Sequence, residues 1–191
     1  MIRLGVAAAA AGPLAIRPWT RDDAEAVRAL VVDAADHLAP WLPWVGDWTA
    51  PDCDARAVIE PLVAEWERRE RYHGGIYLDG ALIGSVGIVD RVGPDALEVG
   101  YWLARLATGR GHATAATALA IDLAFSDPGT DRVVILHDEA NVRSAGVPRR
   151  LGFADLGTGP ERPGLGAPGG SGVERTWELA RADWAGYASR A

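Results

Sequence analysis

Apolar residues that recur at every second position mark one segment of the chain as a strand that leads into a helix. From Leu97 to Ala104 the side chains Leu, Val, Tyr and Leu alternate with other residues, which is the period of a β-strand. From about His112 to Phe125 the chain is apolar on nearly every side, with many alanines and no proline. This second pattern predicts a buried helix that lies close on a sheet.

The residues before this segment predict one strand and two amphipathic helices, followed by a hairpin. Residues 14–19 form the predicted strand, and residues 24–38 and 54–71 carry apolar side chains at helical spacing. Asp79-Gly80 is a two-residue turn signal between two further runs, which predicts a β-hairpin over residues 73–90. Before the first strand, residues 1–13 contain an alanine run, for which we expect a short disordered tail.

The C-terminal part predicts a mixture of strands, short helices and one long loop. Strands are expected at 131–137, 153–157 and 173–179, and helices at 141–151 and 181–187. The stretch 158–172 is rich in Gly and Pro and predicts a loop. The order of elements predicts one α/β domain over residues 14–191, with a mixed and mainly antiparallel sheet.

Composition and charge narrow the class of protein. Of 191 residues, 49% are hydrophobic and 24% are charged, which is typical of a globular domain. The net charge of −7 argues against nucleic acid as the main partner, and it is compatible with an amine substrate. The single cysteine, Cys53, excludes an internal disulfide and fits a reducing compartment, so we expect a cytoplasmic protein without a membrane segment.

A glycine-containing turn joins the predicted strand to the predicted buried helix. Its sequence, Thr108 to Ala113, contains Gly-Arg-Gly immediately before the helix. Glycines at a helix start leave backbone N–H groups bare, and the helix dipole adds a positive partial charge of roughly +0.5 there. The turn is therefore either an anion site, with phosphate as the common anion, or a tight turn that binds nothing.

Four motifs together resemble the GNAT superfamily of acetyl-CoA-dependent N-acetyltransferases. Thr108–Ala113 is similar to the family's pyrophosphate loop, Gln/Arg-x-x-Gly-x-Gly/Ala. Glu98–Leu103, Asn141–Phe153 and Leu38–Trp44 resemble E-x-G-Y-W-L, N-x-x-S…L-G-F and L-x-P-W-L-P-W, which occur in the Rim-type ribosomal-protein N-terminal acetyltransferases. The resemblance covers roughly residues 14 to 185, and it implies a sheet of about seven strands with helices on both faces.

The resemblance also implies where acetyl-CoA and the acceptor amine bind. Backbone groups at Trp102 and Leu103 would hold the pantetheine arm, and Asn141 would bond it or act as a turn or cap residue. The implied CoA-binding residues in full are Trp102, Leu103, Thr108, Gly109, Arg110, Gly111, His112, Ala113, Thr114 and Asn141. On the acceptor side the resemblance implies Trp41, Trp44 and Tyr101, although the tryptophans could also be simple packing.

Two residues carry the expected acid–base chemistry. Glu98 is the candidate general base, directly or through a water, and the alternative is a glutamate paired with an arginine on the sheet. Many GNAT enzymes have a tyrosine seven residues after the motif Asn, where this chain has Pro148, which cannot donate a proton. Ser144 is the next candidate for the acid, or else a helix-capping serine.

Thr108 and the histidines are further residues that could take part in binding or catalysis. Thr108 replaces the family's Gln/Arg, which removes a side chain that usually braces the loop. His137 sits at a strand end and could titrate near neutral pH, but a structural role is favoured. The other histidines show no metal-ligand spacing with one another or with Cys53, so no metal is expected.

The sequence as a whole predicts an N-acetyltransferase that acts on a primary amine, with the N-terminal α-amine of a protein or peptide as the favoured acceptor. The rivals are an acetyltransferase for a small molecule, such as an antibiotic or polyamine, and a CoA-binding module without catalysis. The partners expected are acetyl-CoA and the acceptor, without nucleic acid or membrane, in a monomer or homodimer.

Overall fold

The computed structural model describes residues 4, 8–162 and 166–187, which form one sheet with helices on both faces. The strands are β1 (Ala9–Ala11), β2 (Leu14–Pro18), β3 (Arg71–Leu78), β4 (Ala81–Val89), β5 (Ala96–Leu103), β6 (Arg132–Asp138), β7 (Ala154–Pro160) and β8 (Val173–Ala180). The α-helices are α1 (Ala24–Asp33), α2 (Ala35–Leu38), α3 (Val45–Thr49), α4 (Ala55–Glu67), α5 (His112–Ser126) and α6 (Val142–Leu151).

The sheet is antiparallel except at its centre. Its strand order is β1-β2-β3-β4-β5-β6-β8-β7, and β5 and β6 are the parallel pair. Parallel neighbours need a crossover, and α5 supplies it between β5 and β6. The predicted mixed, mainly antiparallel α/β fold with helices on both faces is therefore confirmed.

Helix α5 packs in the main core, as the apolar pattern predicts. Its alanines let it lie close to the sheet, where Leu119, Ile121 and Leu123 are buried together with Val86, Ile88 and Val99 of the central strands. Because side chains alternate along a strand, the neighbouring residues of β4 and β5 point to the opposite face.

On that opposite face, α1–α4 form a helical cap with a core of its own. Val27, Val31 and Ile59 are fully buried in it, and Trp102 of β5 packs against it from the sheet. The molecule therefore has two apolar clusters, one on each side of the central strands, and a cleft remains between the cap and the sheet.

The N-terminal tail differs from its prediction. Ala9–Ala11 is a strand, β1, which pairs antiparallel with β2, so the sheet has eight strands rather than about seven. Gly12, with φ of 58°, reverses the chain between them. Strand pairing uses backbone groups, and an alanine run shows no apolar alternation that could have revealed it. The rest of the predicted tail that precedes residue 8, apart from residue 4, lies outside the described residues.

Several element boundaries also need correction. The second predicted helix, 54–71, ends at Glu67, where the backbone turns into β3. The predicted loop 158–172 begins only after Pro160, because Thr158 and Gly159 still pair with β8. The predicted terminal helix, 181–187, is a single 3-10 turn over Arg181–Asp183.

The residues directly after that turn are not helical, and side-chain hydrogen bonds attach them to α5. The Trp184 indole N–H donates to Asp122 of α5 at 2.7 Å.

No helix among the described residues has the length and apolar character that a membrane crossing requires.

Candidate active site

The parallel strands β5 and β6 separate in the middle of the sheet. Their pairing runs from Ala96↔Arg132 to Glu98↔Val134 and stops there. Beyond Glu98, β5 continues to pair with β4 on its other side as far as Leu103. The edge of β5 that faces β6 is therefore open from Val99 onward, and an extended ligand with amide groups can pair with such an edge.

The turn before α5 leaves its backbone amides free of protein acceptors. Gly109 and Gly111 have φ of 75° and 84°, the left-handed region in which glycine carries no penalty. The Thr108 amide donates to Arg105, and the first helical bond runs from the Ala115 amide to Gly111. Within the described residues, the amides from 109 to 114 make no bond to protein, so this helix start can bind an anion.

Side chains around this turn differ in their contacts. Arg110 is exposed, and the Thr108 hydroxyl donates to the Arg105 carbonyl at 2.8 Å within the turn. The Thr114 hydroxyl accepts a bond of 3.0 Å from the guanidinium of Arg150 on α6. Arg150 therefore adds a positive charge beside the free amides. Its place beside the turn could not be predicted from the sequence, because it lies 36 residues from Thr114.

A cleft of about 740 Å³ lies between the cap and the sheet. It is bordered by Glu98, Tyr101, Trp102, Asn141 and Ser144, which are predicted site residues from separate sequence motifs. Five tryptophans border the cleft: Trp19, Trp41, Trp44, Trp48 and Trp102. Charged and polar side chains border it as well: Arg71, His73, Arg91, Arg162 and Glu174.

The tryptophans have two different environments. All three tryptophans of residues 41–48 border the cleft, but Trp48 is buried in the cap, while Trp41 and Trp44 are half-buried. The ring centroids of Trp44 and Trp102 lie 5.8 Å apart at an interplanar angle of 50°. Simple packing therefore describes Trp48, whereas Trp41, Trp44 and Trp102 present ring surface to the cleft. The Leu103 side chain is instead buried in the core with α5, which leaves only its backbone for a ligand.

Glu98 is buried, with 5% exposure, and it borders the cleft as an ion-paired carboxylate. Arg91 donates from Nε to Oε2 at 2.8 Å and from Nη2 to Oε1 at 2.5 Å, and Arg162 donates to Oε2 at 3.2 Å. An ionised carboxylate has about four lone-pair sites. Three are used by the arginines, so one site on Oε1 stays available for a water or an amine.

The two arginines around Glu98 were not found from the sequence. Arg91 follows β4, and Arg162 lies after β7, where it also bonds Glu174 at 3.2 Å. The hydrogen bond to Glu98 raises the pKa of Arg91. The three groups come together only because both connections fold toward the same carboxylate. The spacing of these residues along the chain therefore does not predict their contact.

The first turn of α6 positions Ser144. The Asn141 side chain caps this helix by accepting from the Ser144 amide at 3.3 Å, which is the cap role that the sequence left open. Ser144 itself does not cap the helix, and its hydroxyl lies 3.1 Å from the Tyr101 hydroxyl. Burial raises the pKa of Tyr101 to about 12.

His137 has a structural arrangement that accounts for both ring nitrogens. The Trp177 indole can only donate, so its bond of 2.9 Å makes Nε2 of His137 the acceptor. Nδ1 therefore carries the proton and donates to the Asp138 carbonyl at 2.7 Å. Burial lowers the pKa of His137, which agrees with a neutral ring.

Among residues 4, 8–162 and 166–187, no group of three or more His, Cys, Asp and Glu side chains is arranged to hold a metal ion.

Comparisons with known proteins point to one family. The model of the family described as "Acetyltransferase (GNAT) domain" matches residues 14–154. The Bacillus subtilis (strain 168) protein named "Putative ribosomal N-acetyltransferase YdaF" is 30% identical over 179 residues, which cover 91% of this chain and 94% of that protein.

Solved structures give the same result at the level of the fold. Mycobacterium smegmatis RimJ, in complex with CoA-disulfide, superposes with a TM-score of 0.81 at 26% identity and covers 93% of this chain and 87% of its own. The ribosomal-protein-S5-alanine acetyltransferase from Vibrio fischeri has a TM-score of 0.78 at 21% identity, over 93% of this chain and 98% of its own.

Proposed function

The chain belongs to the GNAT family of acetyltransferases, and from this premise we propose that it transfers an acetyl group from acetyl-CoA to the N-terminal α-amine of a protein. The observation that carries the proposal is the row of free amides at residues 109–114, which lies at the start of the helix that follows the open edge of β5. The name of the relative YdaF makes a ribosomal protein the first acceptor to test.

The residues present fit acetyl-CoA along this path. The amides of residues 109–114, with Arg150 beside them, are suited to the diphosphate, because N–H groups and positive charge favour an anion. The open edge of β5 at Val99–Leu103 offers backbone partners for the amides of the pantetheine arm. Acetyl-CoA supplies an activated acyl thioester, and the chain supplies its placement beside the cleft.

Glu98 is proposed to accept the proton of the protonated amine. An α-amine has a pKa of about 8, so it is mostly protonated at neutral pH and cannot attack until it loses that proton. Glu98 borders the cleft, and its available lone pair on Oε1 can accept the proton through a water. The two arginines hold the carboxylate in place while it does so.

The apolar ring surfaces that border the cleft favour an acceptor that carries other groups next to its amine. Trp41, Trp44 and Trp102 can pack against the first side chains of a peptide or against the body of a small molecule. A protein N-terminus enters as an extended segment with its amine foremost, and a cleft bordered by both tryptophan rings and charged side chains suits the side chains and backbone of such a segment.

The proposal is tested by measuring CoA release with a panel of amines. We expect turnover with peptides that carry the N-termini of ribosomal proteins and none with the same peptides N-acetylated. Glu98→Gln should lower kcat by about 100-fold or more, which is the usual contribution of a general base, and leave the Kd for CoA unchanged.

Glu178→Gln is the matched control, because Glu178 is a strand glutamate paired with Arg132 at 2.8 Å and lies outside the cleft. It should retain the activity of the wild type. Turnover with polyamines or antibiotics but with no peptide would overturn the α-amine assignment. CoA binding without turnover on any amine would mean a binding module.

A further inference from the structure

Pro148 leaves one backbone carbonyl of α6 without its helical donor. In an α-helix the N–H of each residue bonds the carbonyl four residues earlier, and proline has no N–H. The carbonyl that loses its donor is that of Ser144. The Tyr101 hydroxyl of β5 donates to this carbonyl at 3.0 Å and so takes the place of the missing N–H.

The same hydroxyl also lies 3.1 Å from the Ser144 side-chain oxygen. Tyr101 has one proton and two acceptors, so two arrangements are possible. When Tyr101 donates to the carbonyl, the Ser144 hydroxyl can donate to Tyr101. When Tyr101 donates to Ser144 Oγ, the proton of Ser144 is free to point into the cleft, which both residues border.

We propose that Ser144 gives a proton to the departing CoA thiolate, and that Tyr101 is the positioning residue that directs this proton and then replaces it. This inference rests on the function proposed above. As the carbon–sulfur bond breaks, the Ser144 O–H bond breaks and an S–H bond forms. The Tyr101 proton passes to Ser144 Oγ, and the phenolate regains a proton through water from Glu98, which has received the proton that the amine released.

Hydroxyl acidity supports this order of transfer. A phenol is a much stronger acid than an aliphatic alcohol, so a serine that can draw on a tyrosine is a better donor than a serine alone. Tyr101 is fully protonated at neutral pH, since its burial raises its pKa to about 12. Pro148 stands at the position where many family members carry a tyrosine, and the same proline leaves the Ser144 carbonyl free to accept from Tyr101.

The test begins with Tyr101→Phe, which keeps the ring and removes the hydroxyl. We expect kcat to fall by about 100-fold, with the KM for acetyl-CoA within about twofold of the wild type. Tyr101→Phe/Ser144→Ala should be no slower than Ser144→Ala, because two members of one relay are not additive. Tyr77→Phe is the matched control, since Tyr77 donates to Asp23 at 3.2 Å and lies outside the cleft, and it should keep the wild-type kcat.

A second variant separates proton supply from helix support. Tyr101→Phe also leaves the Ser144 carbonyl without a partner, so it should lower Tm. Tyr101→Phe/Pro148→Ala restores a backbone N–H to that carbonyl and should return Tm to the wild-type value, while kcat stays low. Recovery of kcat together with Tm would show that the tyrosine only supports the helix, and would overturn the inference.

The remaining outcomes distinguish this inference from the proposed function. A wild type that turns over α-amines with an unchanged kcat in Tyr101→Phe would overturn the role of Tyr101 and leave the function in place. A wild type that turns over no amine would overturn the function, and with it the relay.

Discussion

At the scale of single residues, two glycines make the start of α5 available to a ligand. Gly109 and Gly111 both have positive φ, and a Cβ built on either would meet nothing within 4 Å. Glycine is therefore required at these two positions by backbone conformation and not by crowding. The open space beside them is where an anion can approach the free amides.

Gly111→Ala tests this requirement. A non-glycine residue in the left-handed region costs about 1–2 kcal/mol, so we expect the free energy of unfolding to fall by that amount. The added Cβ also projects beside the free amides, and the Kd for CoA should rise about tenfold, which corresponds to about 1.4 kcal/mol. Urea unfolding and calorimetry measure the two effects.

Gly46→Ala is its control, because Gly46 lies in α3, has no positive φ and also has open space around it. Alanine there should raise stability by about 0.5–1 kcal/mol and leave CoA binding unchanged. Equal losses of CoA affinity in both variants would contradict the assignment of the loop.

At the scale of elements, helix α4 links the stability of the cap to the shape of the cleft. Asp54 is its N-cap, and its side chain accepts from the amides of Arg56 and Ala57 at 3.0 and 3.1 Å. The same helix contributes Val58 and Leu62 to the cleft. A less stable helical cap should therefore weaken binding of the acceptor more than binding of CoA.

Asp54→Ala removes both cap bonds and should lower the free energy of unfolding by about 1 kcal/mol. We expect a higher KM for the peptide acceptor and an unchanged Kd for CoA, because the free amides of the CoA site lie at the start of α5. Asp54→Asn, which keeps an acceptor oxygen, should stay close to the wild type in both measurements. A change in CoA affinity without a change in acceptor KM would argue against this division of the cleft.

At the scale of the whole molecule, three histidines couple stability to pH. Burial is the largest cause of a lowered pKa in His37, His73 and His137. The unfolded chain, with an ordinary histidine pKa of about 6.5, then binds more protons than the folded chain at mildly acid pH. The stabilisation is present above that value and is lost as the pH falls below it.

The free energy of unfolding should accordingly decrease between about pH 7 and pH 5.5, before the carboxylates begin to titrate. His137→Gln should show a shallower decrease, because protonation of His137 would place two donors face to face between its ring and the Trp177 indole. Urea unfolding of both proteins at several pH values gives the slopes. Identical slopes would show that His137 does not contribute to the pH dependence of the free energy of unfolding.

Local side-chain patterns were predicted correctly from the sequence, whereas contacts between distant segments were not. The β5–α5 segment was predicted correctly because its strand alternation and its apolar helix are local patterns. Glu98 was found as a candidate, but its partners Arg91 and Arg162 were not, because they lie on separate connections. β1 was missed, since an alanine run pairs through its backbone and leaves no side-chain pattern.

The sequence by itself determined most of the strands and helices between β2 and β8, the glycine turn before α5 and the family motifs, because each depends on residues close together in the chain. Only the tertiary structure decided that β5 and β6 separate after Glu98, that the amides of residues 109–114 remain free, and that Tyr101 reaches Ser144. These features arise where distant segments meet, and the geometry of that meeting depends on how the sheet, α5 and the cap pack together.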